Sequence, residues 1–170
     1  MRFKKVIAAV VLAVAFFPAY MPVHGQYAAY EKGAILFDGG FALWPIILHA
    51  HLDIGVHDLV SAGGGLGVHM PTPSRGIAIP ILARGAFHPF NLPVLQDKIA
   101  IRDRFDAYAG LIAGIAIDPD DGRAPVLPTF GEFIGCRFYI SDQFGFYAEH
   151  EAAGPGEHLG WIGGGVTLKF

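Results

Sequence analysis

The stretch Gly135-Cys136-Arg137-Phe138-Tyr139-Ile140-Ser141-Asp142-Gln143-Phe144-Gly145-Phe146-Tyr147-Ala148-Glu149 decides the fold. It reads as two strands joined by a turn at Ser141-Asp142-Gln143, because successive side chains of a strand point to opposite faces. One face is apolar and carries Cys136, Phe138, Ile140, Phe144, Phe146 and Ala148. The other face carries Gly135, Arg137, Tyr139, Gly145, Tyr147 and Glu149. Charges that alternate with glycine and tyrosine are typical of a barrel with a polar inside and an outside that meets lipid.

The first residues form a segment that is separate from this fold. Three of the first five side chains are basic, an apolar run follows from Val6 to Phe17, and the compact residues Val23-His24-Gly25 come next. This pattern predicts a secretory signal peptide over residues 1–25, cut before Gln26, and one barrel domain over residues 26–170. The apolar run is shorter than the ~20 residues that a spanning helix needs.

Charge and cysteine content exclude two classes of protein. Without residues 1–25 the chain keeps nine of its 12 basic residues and all 15 acidic ones, a formal charge of −6. An acidic chain of this kind lacks the basic patch that nucleic acid requires, so we expect no nucleic-acid partner. Cys136 is the one cysteine in the sequence, which excludes an internal disulfide.

Eight segments of the chain alternate apolar and polar or small residues. They are Gly33 to Leu43, Ile46 to Val56, Ser61 to Met70, Ile77 to Phe87, Phe105 to Ile117, the two strands of the hairpin (from near Thr129 and from Phe144), and a last segment that ends at Phe170. The pattern predicts an all-β fold, an eight-stranded antiparallel up-and-down transmembrane β-barrel. Closure of the barrel removes both sheet edges.

Some local signals interrupt the pattern. Asp38-Gly39-Gly40 interrupts the first segment. Pro80 lies within the fourth segment and predicts a bulge or a strand end there. His88 to Arg104 is the longest connection and is predicted to be irregular. Ala152-Ala153-Gly154-Pro155-Gly156 is predicted to be a loop.

Four charged side chains fall on the inner face by parity, and we expect them to form a charge network in the lumen. They are Asp53, Arg84, Arg137 and Glu149. An interior of eight strands is just wide enough for side chains to fill, which favours Arg–carboxylate pairs that plug the lumen. A gated path for protons or ions is the alternative.

Polar and aromatic side chains share this face. His49 and His51 precede Asp53 at alternate positions, and a His-x-His pair on a strand is a known way to hold zinc. No further ligand is evident in the sequence, so we predict no metal site and treat the histidines as lumen residues. Tyr108 is predicted to lie in the lumen. Three further aromatic residues are predicted either to fill the lumen or, together with Trp44, to form interfacial girdles. They are Tyr139, Tyr147 and Trp161.

The hairpin Gly135 to Glu149 and the final Val166 to Phe170 resemble the small outer-membrane β-barrel proteins of Gram-negative-type bacteria. Leu52 to Val56, Arg84 to His88 and Tyr108 to Leu111 resemble them too. The resemblance implies a porin-like barrel of the cell envelope, with outer membrane protein X and W types closest in size, which are adhesion-like or channel-like. It also implies recognition of the C-terminal strand by the outer-membrane assembly machinery, through a signal that comprises Val166, Leu168 and Phe170.

An enzyme is the disfavoured reading. Glu149-His150-Glu151 resembles the end of the lipid A deacylase barrels, which act with serine, histidine and an acid. No serine stands near His150 on its strand, and His150 has the parity of the lipid face, so the nucleophile is missing. We therefore predict no catalytic residue and no cofactor.

These observations leave several functions open. The first is a non-enzymatic structural or surface-interaction protein, which acts through the loops Met70 to Gly76, Asp118 to Pro128 and Ala152 to His158. The second is a narrow channel or transporter for small solutes, gated by the interior charges. A soluble lipocalin-like barrel would instead have an apolar lumen. The expected partners are outer-membrane lipid or lipopolysaccharide and the assembly machinery.

Overall fold

The computed structural model describes residues 29–43, 46–70, 76–96, 98–99, 101–118, 126–154 and 160–170. Within them eight antiparallel strands close into one barrel, each paired with its neighbours in sequence and the last paired with the first. The strands are β1 (Ile35–Leu43), β2 (Ile46–His57), β3 (Val60–His69), β4 (Ile79–Phe87), β5 (Phe105–Ile117), β6 (Val126–Tyr139), β7 (Phe144–Gly154) and β8 (Trp161–Lys169). The predicted fold class is confirmed.

Side-chain alternation gives the barrel a polar inside and an apolar outside. Along β2, His49, His51 and Asp53 are buried, whereas Leu48 and Leu52 are exposed. The other strands alternate in the same way, apart from the end of β8, where Leu168 is buried despite its outward parity. Large apolar side chains therefore cover most of the outer wall. No helix among the described residues is long and apolar enough to cross a membrane.

The strand limits differ from the sequence expectations at a few places. β6 begins at Val126, before the expected Thr129, and β7 runs on to Gly154. The loop predicted from Ala152 was therefore wrong in its start, because Ala152 and Ala153 pair with β6. Strand β6 provides hydrogen-bond partners for this part of β7, and the small residues of the local sequence do not reveal that pairing.

Pro80 is the second residue of β4 and is buried on the inner face. It pairs with Ala116 of β5. On its other side the continuous pairing with β3 stops at Ile81, and the bridge between Ala78 and His69 resumes it. The sequence had placed Pro80 at a bulge or a strand end, and the ladder is interrupted there because proline has no N–H to donate.

The start of β1 and the end of β8 lie at the same end of the barrel, which we call the terminal end; the opposite end is the distal end. The connection from β4 to β5 also lies at the terminal end. It contains a 3₁₀ turn (Pro89–Asn91) and a short helix, α1 (Pro93–Gln96), where the sequence predicted irregular chain. Trp44, residues 71–75 and 119–125, and residues 155–159 of the predicted loops lie outside the described residues, as do residues 1–28.

Two glycines allow large side chains to lie in the lumen. A Cβ atom at Gly135 would stand 2.6 Å from the Tyr108 ring, and one at Gly65 would overlap the His51 ring. Both contacts are far closer than carbon atoms tolerate. On the glycine-rich strand β3, the absence of a side chain at Gly65 thus leaves room for the His51 ring.

Candidate functional site: the charged lumen

Arg137 lies at the centre of the charge network in the terminal half of the lumen. It projects inward from β6 and is fully buried. Its Nη2 lies 2.6 Å from Asp38 Oδ2 and 3.1 Å from Asp53 Oδ2. Its Nη1 lies 3.1 Å from Asp106 Oδ2. One guanidinium therefore joins carboxylates from β1, β2 and β5 to β6.

Arg84 forms a second centre, nearer the distal end. Its Nη2 donates to Glu149 Oε2 at 2.7 Å, and its Nη1 donates to Glu149 Oε1 at 3.3 Å. This forked geometry matches a guanidinium to a carboxylate in the plane of both groups. Arg84 Nη1 also donates to the Nδ1 atom of His51.

Asp53 connects the two arginines. Its Oδ1 lies 3.3 Å from Arg84 Nε, while its Oδ2 lies 3.1 Å from Arg137. The four residues of the expected network are thus in one chain of ion pairs. Each guanidinium also lies over a ring, Arg84 3.9 Å from the Phe133 centroid and Arg137 4.1 Å from the Tyr108 centroid. Stacked in this way, both cations are held in place by contacts on several sides.

Asp38 and Asp106 were missed as members of the network. Asp38 belongs to the triplet that appeared to break the first segment, yet it is a fully buried residue of β1. Asp106 is an inner residue near the start of β5, on a face whose other side chains are uncharged. The alternation of residues along β5 predicts that Asp106 faces inward. Its pairing with Arg137 follows from the strand register, which the sequence does not give.

The distal half of the lumen holds an aromatic and histidine cluster. His49 Nε2 is hydrogen-bonded to the Tyr147 hydroxyl. The His49 ring centroid lies 4.1 Å from that of Trp161 and 5.2 Å from that of His51. Trp161 and Tyr147 are buried here, and Tyr139 is buried towards the terminal end. Tyr139, Tyr147 and Trp161 thus fill the lumen and do not form a girdle at the membrane interface.

A hydrogen-bonded chain of serine, histidine and aspartate side chains lies at the terminal end. It is separate from His150, the histidine for which the sequence offered no nearby serine. His88 Nε2 lies 3.0 Å from Ser61 Oγ, and His88 Nδ1 lies 2.8 Å from Asp106 Oδ1. The order matches that of a hydrolase triad. However, Ser61 is 1% exposed. No acyl group could reach its hydroxyl in this arrangement, so the chain acts as a buried hydrogen-bond relay that ties β3 and β5 to the end of β4.

Tyr30 covers this relay. Its ring stacks on His88 with centroids 3.5 Å apart. Burial raises the pKa of the Tyr30 phenol above its ordinary value. The hydroxyl therefore stays protonated and donates to the His57 carbonyl at 2.9 Å.

Hydrogen bonds to backbone carbonyls complete this terminal cap, which we define as the described residues within 29–34 and 88–104. Asn91 Nδ2 donates to the carbonyls of Tyr30 at 2.9 Å and Asp58 at 2.8 Å. The Ala29 N–H donates to the Arg102 carbonyl at 3.3 Å. The cap brings together chain segments that no local sequence signal connects.

The C-terminal residues are part of the barrel wall. Val166 pairs with Gly39 of β1 and Phe146 of β7, and Leu168 pairs with Phe37 and Phe144. Leu168 has outward parity but is buried, because a phenylalanine stands beside it on each neighbouring strand. The backbone of Phe170 exchanges hydrogen bonds with Ile35 at 2.9 and 3.0 Å. These pairings close the barrel.

The geometry also identifies side chains that could hold a cation. His51, Glu149 and Glu151 each offer one potential ligand atom, and these atoms lie within 4.8 Å of one another. His49 and Asp53, which share the β2 face with His51, are held elsewhere: His49 by Tyr147 and Asp53 by both arginines. The potential ligands that the structure brings together thus come from two strands, and they are not the His-x-His-x-Asp set of β2 for which the sequence had predicted no metal site.

Two solved structures resemble this barrel. The N-terminal β-barrel domain of Pseudomonas aeruginosa OprF matches with a TM-score of 0.59 at 16% identity, covering 83% of this chain and 100% of that one. A barrel from the de novo design of transmembrane β-barrels matches with a TM-score of 0.53 at 12% identity, covering 83% of this chain and 98% of that one. No protein-family model and no curated protein sequence matches the chain. At these identities the likeness shows a shared architecture, that of outer-membrane and designed transmembrane barrels.

Proposed function

We propose that the protein is an integral outer-membrane β-barrel of the cell envelope, with a lumen plugged by side chains and a structural or surface-interaction role without catalysis. The contrast between neighbouring strands carries the proposal. Arg137 on β6 is fully buried, whereas Leu111 at the middle of β5 is 70% exposed. Water would penalise that exposed apolar surface, whereas lipid would cover it.

Strand length supports a spanning role. The described strands have 9 to 14 residues. A tilted strand needs about 9–11 residues to cross the hydrocarbon core of a bilayer. Outward side chains of β6 and β8, namely Phe130, Ile134 and Ile162, are large and at least 60% exposed.

The proposal includes a route and partners. Residues 1–25 would direct export in a Gram-negative-type cell and be removed. Val166, Leu168 and Phe170 would present the last strand to the assembly machinery. Outer-membrane lipid or lipopolysaccharide would contact the outer wall, and the loops at the distal end would meet other molecules. Nucleic acid is not among the proposed partners.

A narrow channel is the second candidate, and one observation favours it. The ion pairs run without interruption from Asp106 through Arg137, Asp53 and Arg84 to Glu149. A continuous row of charges is a feature of paths for ions or protons. Against it, the same pairs fill the width of the lumen, and the terminal cap covers one end.

Planar-bilayer recording decides between these functions. The protein is refolded in detergent, its insertion into lipid vesicles is verified by flotation and by protease protection of the barrel, and single-channel current is then recorded at low and high salt. We expect inserted, silent protein. Discrete openings that change in Arg137→Ala would establish the channel instead. Folded protein that fails to insert would contradict the membrane barrel altogether.

A further inference from the structure

The distal half of the lumen brings two strand motifs together from opposite sides. His49 and His51 alternate on the inner face of β2, and Glu149 and Glu151 alternate on the inner face of β7. The ligand atoms of His51, Glu149 and Glu151 lie within 4.8 Å of one another, and all three residues are buried. Imidazole nitrogen and carboxylate oxygen together form the donor set that zinc and neighbouring divalent transition metals take up in proteins.

The buried side chains of the lumen carry more negative than positive charges. Leaving the buried histidines aside, the described lumen holds five buried carboxylates (Asp38, Asp53, Asp106, Glu149 and Glu151) against three buried arginine or lysine side chains (Arg84, Arg137 and Lys169). This is an excess of two negative charges. Arg84 forms an ion pair with Glu149, but Glu151 forms none with any described residue. A buried carboxylate without a cation is costly, and a divalent cation would balance the count.

An independent observation concerns His49. It is 7% exposed, and among the described residues its Nδ1 has no hydrogen-bond partner. Together with His51, Glu151, His69 and Trp161 it lines a small cavity that is enclosed by residues of β2, β3, β4, β7 and β8. An imidazole nitrogen left unpaired beside a cavity provides a further ligand next to the first three.

From these observations we propose that the distal lumen binds one divalent transition-metal cation of the zinc type, ligated by His51, Glu149 and Glu151 with His49 beside them. Arg84 orients the Glu149 carboxylate through its forked ion pair, as outer partners of metal ligands commonly do. Ligation through His51 Nδ1 displaces the hydrogen bond from Arg84, while the ion pairs of Arg84 with Asp53 and Glu149 remain. The site lies inside the barrel, so it is independent of the outer wall and of the loops.

Cobalt and zinc titrations test the proposal. The full chain without an affinity tag is refolded in detergent, and Co²⁺ binding is followed by visible absorption and Zn²⁺ binding by calorimetry. We expect one cation per barrel and a Co²⁺ spectrum of mixed nitrogen and oxygen ligation. Glu151→Gln keeps the shape of the side chain and should weaken binding at least tenfold, as should His51→Ala.

His150→Ala is the matched control, because His150 lies between the two glutamates on β7 but faces outward. It should bind as the unaltered protein does. Circular dichroism verifies the fold of each protein. A folded, unaltered barrel that gives no Co²⁺ spectrum and no heat with Zn²⁺ would overturn the proposal, and so would equal loss in His150→Ala. Either result would leave insertion into membranes untouched, since insertion is measured separately.

Discussion

Arg137 is surrounded by the carboxylates of Asp38, Asp53 and Asp106. Removal of its guanidinium would leave these buried negative charges facing one another without a cation between them. We expect Arg137→Ala to lower the free energy of unfolding by about 3–5 kcal/mol, the usual cost of breaking a buried ion pair. Urea unfolding in detergent, followed by tryptophan fluorescence, measures the difference.

Lys169→Ala is the comparison for this substitution. Lys169 is also an inward basic residue, but it lies at the end of β8, with its Nζ 5.4 Å from the centroid of the Tyr139 ring. Its loss should cost less than that of Arg137. Arg137→Lys should fall between, because an ammonium group cannot fork to several carboxylates. Equal shifts for Arg137→Ala and Lys169→Ala would contradict a central role for Arg137.

Gly135 and Gly85 allow a second test at single residues. A Cβ atom at Gly135 would stand 2.6 Å from the Tyr108 ring, whereas one at Gly85 would meet nothing closer than the Ser61 carbonyl at 3.8 Å. Gly135→Ala should therefore destabilise the barrel by about 1–3 kcal/mol through overpacking. Gly85→Ala should be neutral or slightly stabilising, because alanine restricts the unfolded chain more than glycine does.

Urea unfolding in detergent measures the free energy of unfolding of both glycine variants. A loss of stability that is equal at Gly135 and Gly85 would mean that strand propensity, and not the Tyr108 contact, determines the effect.

At the scale of elements, the terminal cap depends on Asn91. Its amide donates to the carbonyls of Tyr30 and Asp58, which belong to separate parts of the chain. Asn91→Ala should loosen the connection between β4 and β5 and leave the barrel wall intact. Limited trypsin digestion of the folded protein should then cut faster at Lys98, Arg102 and Arg104, since cleavage follows local opening.

Val94→Ala serves as the control for this digestion, because Val94 lies in the same connection but is 64% exposed. Its cleavage rate should remain that of the unaltered protein. A rate that does not change in Asn91→Ala would show that the cap is held by its other contacts, such as the stacking of Tyr30 on His88.

The strands themselves were predictable from the sequence, because a period of two residues survives in every one of them. The inward positions of Asp53, Arg84, Arg137 and Glu149 follow from that parity. Their partners do not. Asp38 and Arg137 are 99 residues apart in the chain, and they meet through the stagger of the strands around the closed barrel.

Local signals also misled at two positions. Asp38-Gly39-Gly40 is a turn signal, yet pairing with β2 and β8 on both sides holds it extended. His88 followed the last residue of a strand and was assigned to an irregular connection. Tyr30 stacks on His88 although the two residues are 58 positions apart in the chain, so the relay with Ser61 and Asp106 could not be read from sequence.

At the scale of the whole molecule, the distribution of polarity is the inverse of that in a soluble protein. Two arginines and five acidic side chains of the described strands occupy the interior, and leucine, isoleucine and phenylalanine cover most of the wall, where Glu132 of β6 is an exposed acidic residue. The effect of placing a charge on such a wall therefore depends on whether lipid or water surrounds the barrel. In lipid a charge on the wall is penalised according to its depth, whereas in water it would improve solubility.

Leu111 and Val94 provide a matched pair for testing this. Leu111 is the central residue of β5 and is 70% exposed, whereas Val94 is similarly exposed, at 64%, but lies on α1 outside the barrel wall. In phosphatidylcholine vesicles, Leu111→Arg should lower the free energy of unfolding by about 2–4 kcal/mol, the cost of arginine at the middle of a bilayer. Val94→Arg should change it by less than about 0.5 kcal/mol, as exposed substitutions in water usually do. If both variants cost the same, or if Leu111→Arg makes the folded protein soluble without detergent, the wall faces water and the barrel does not span a membrane.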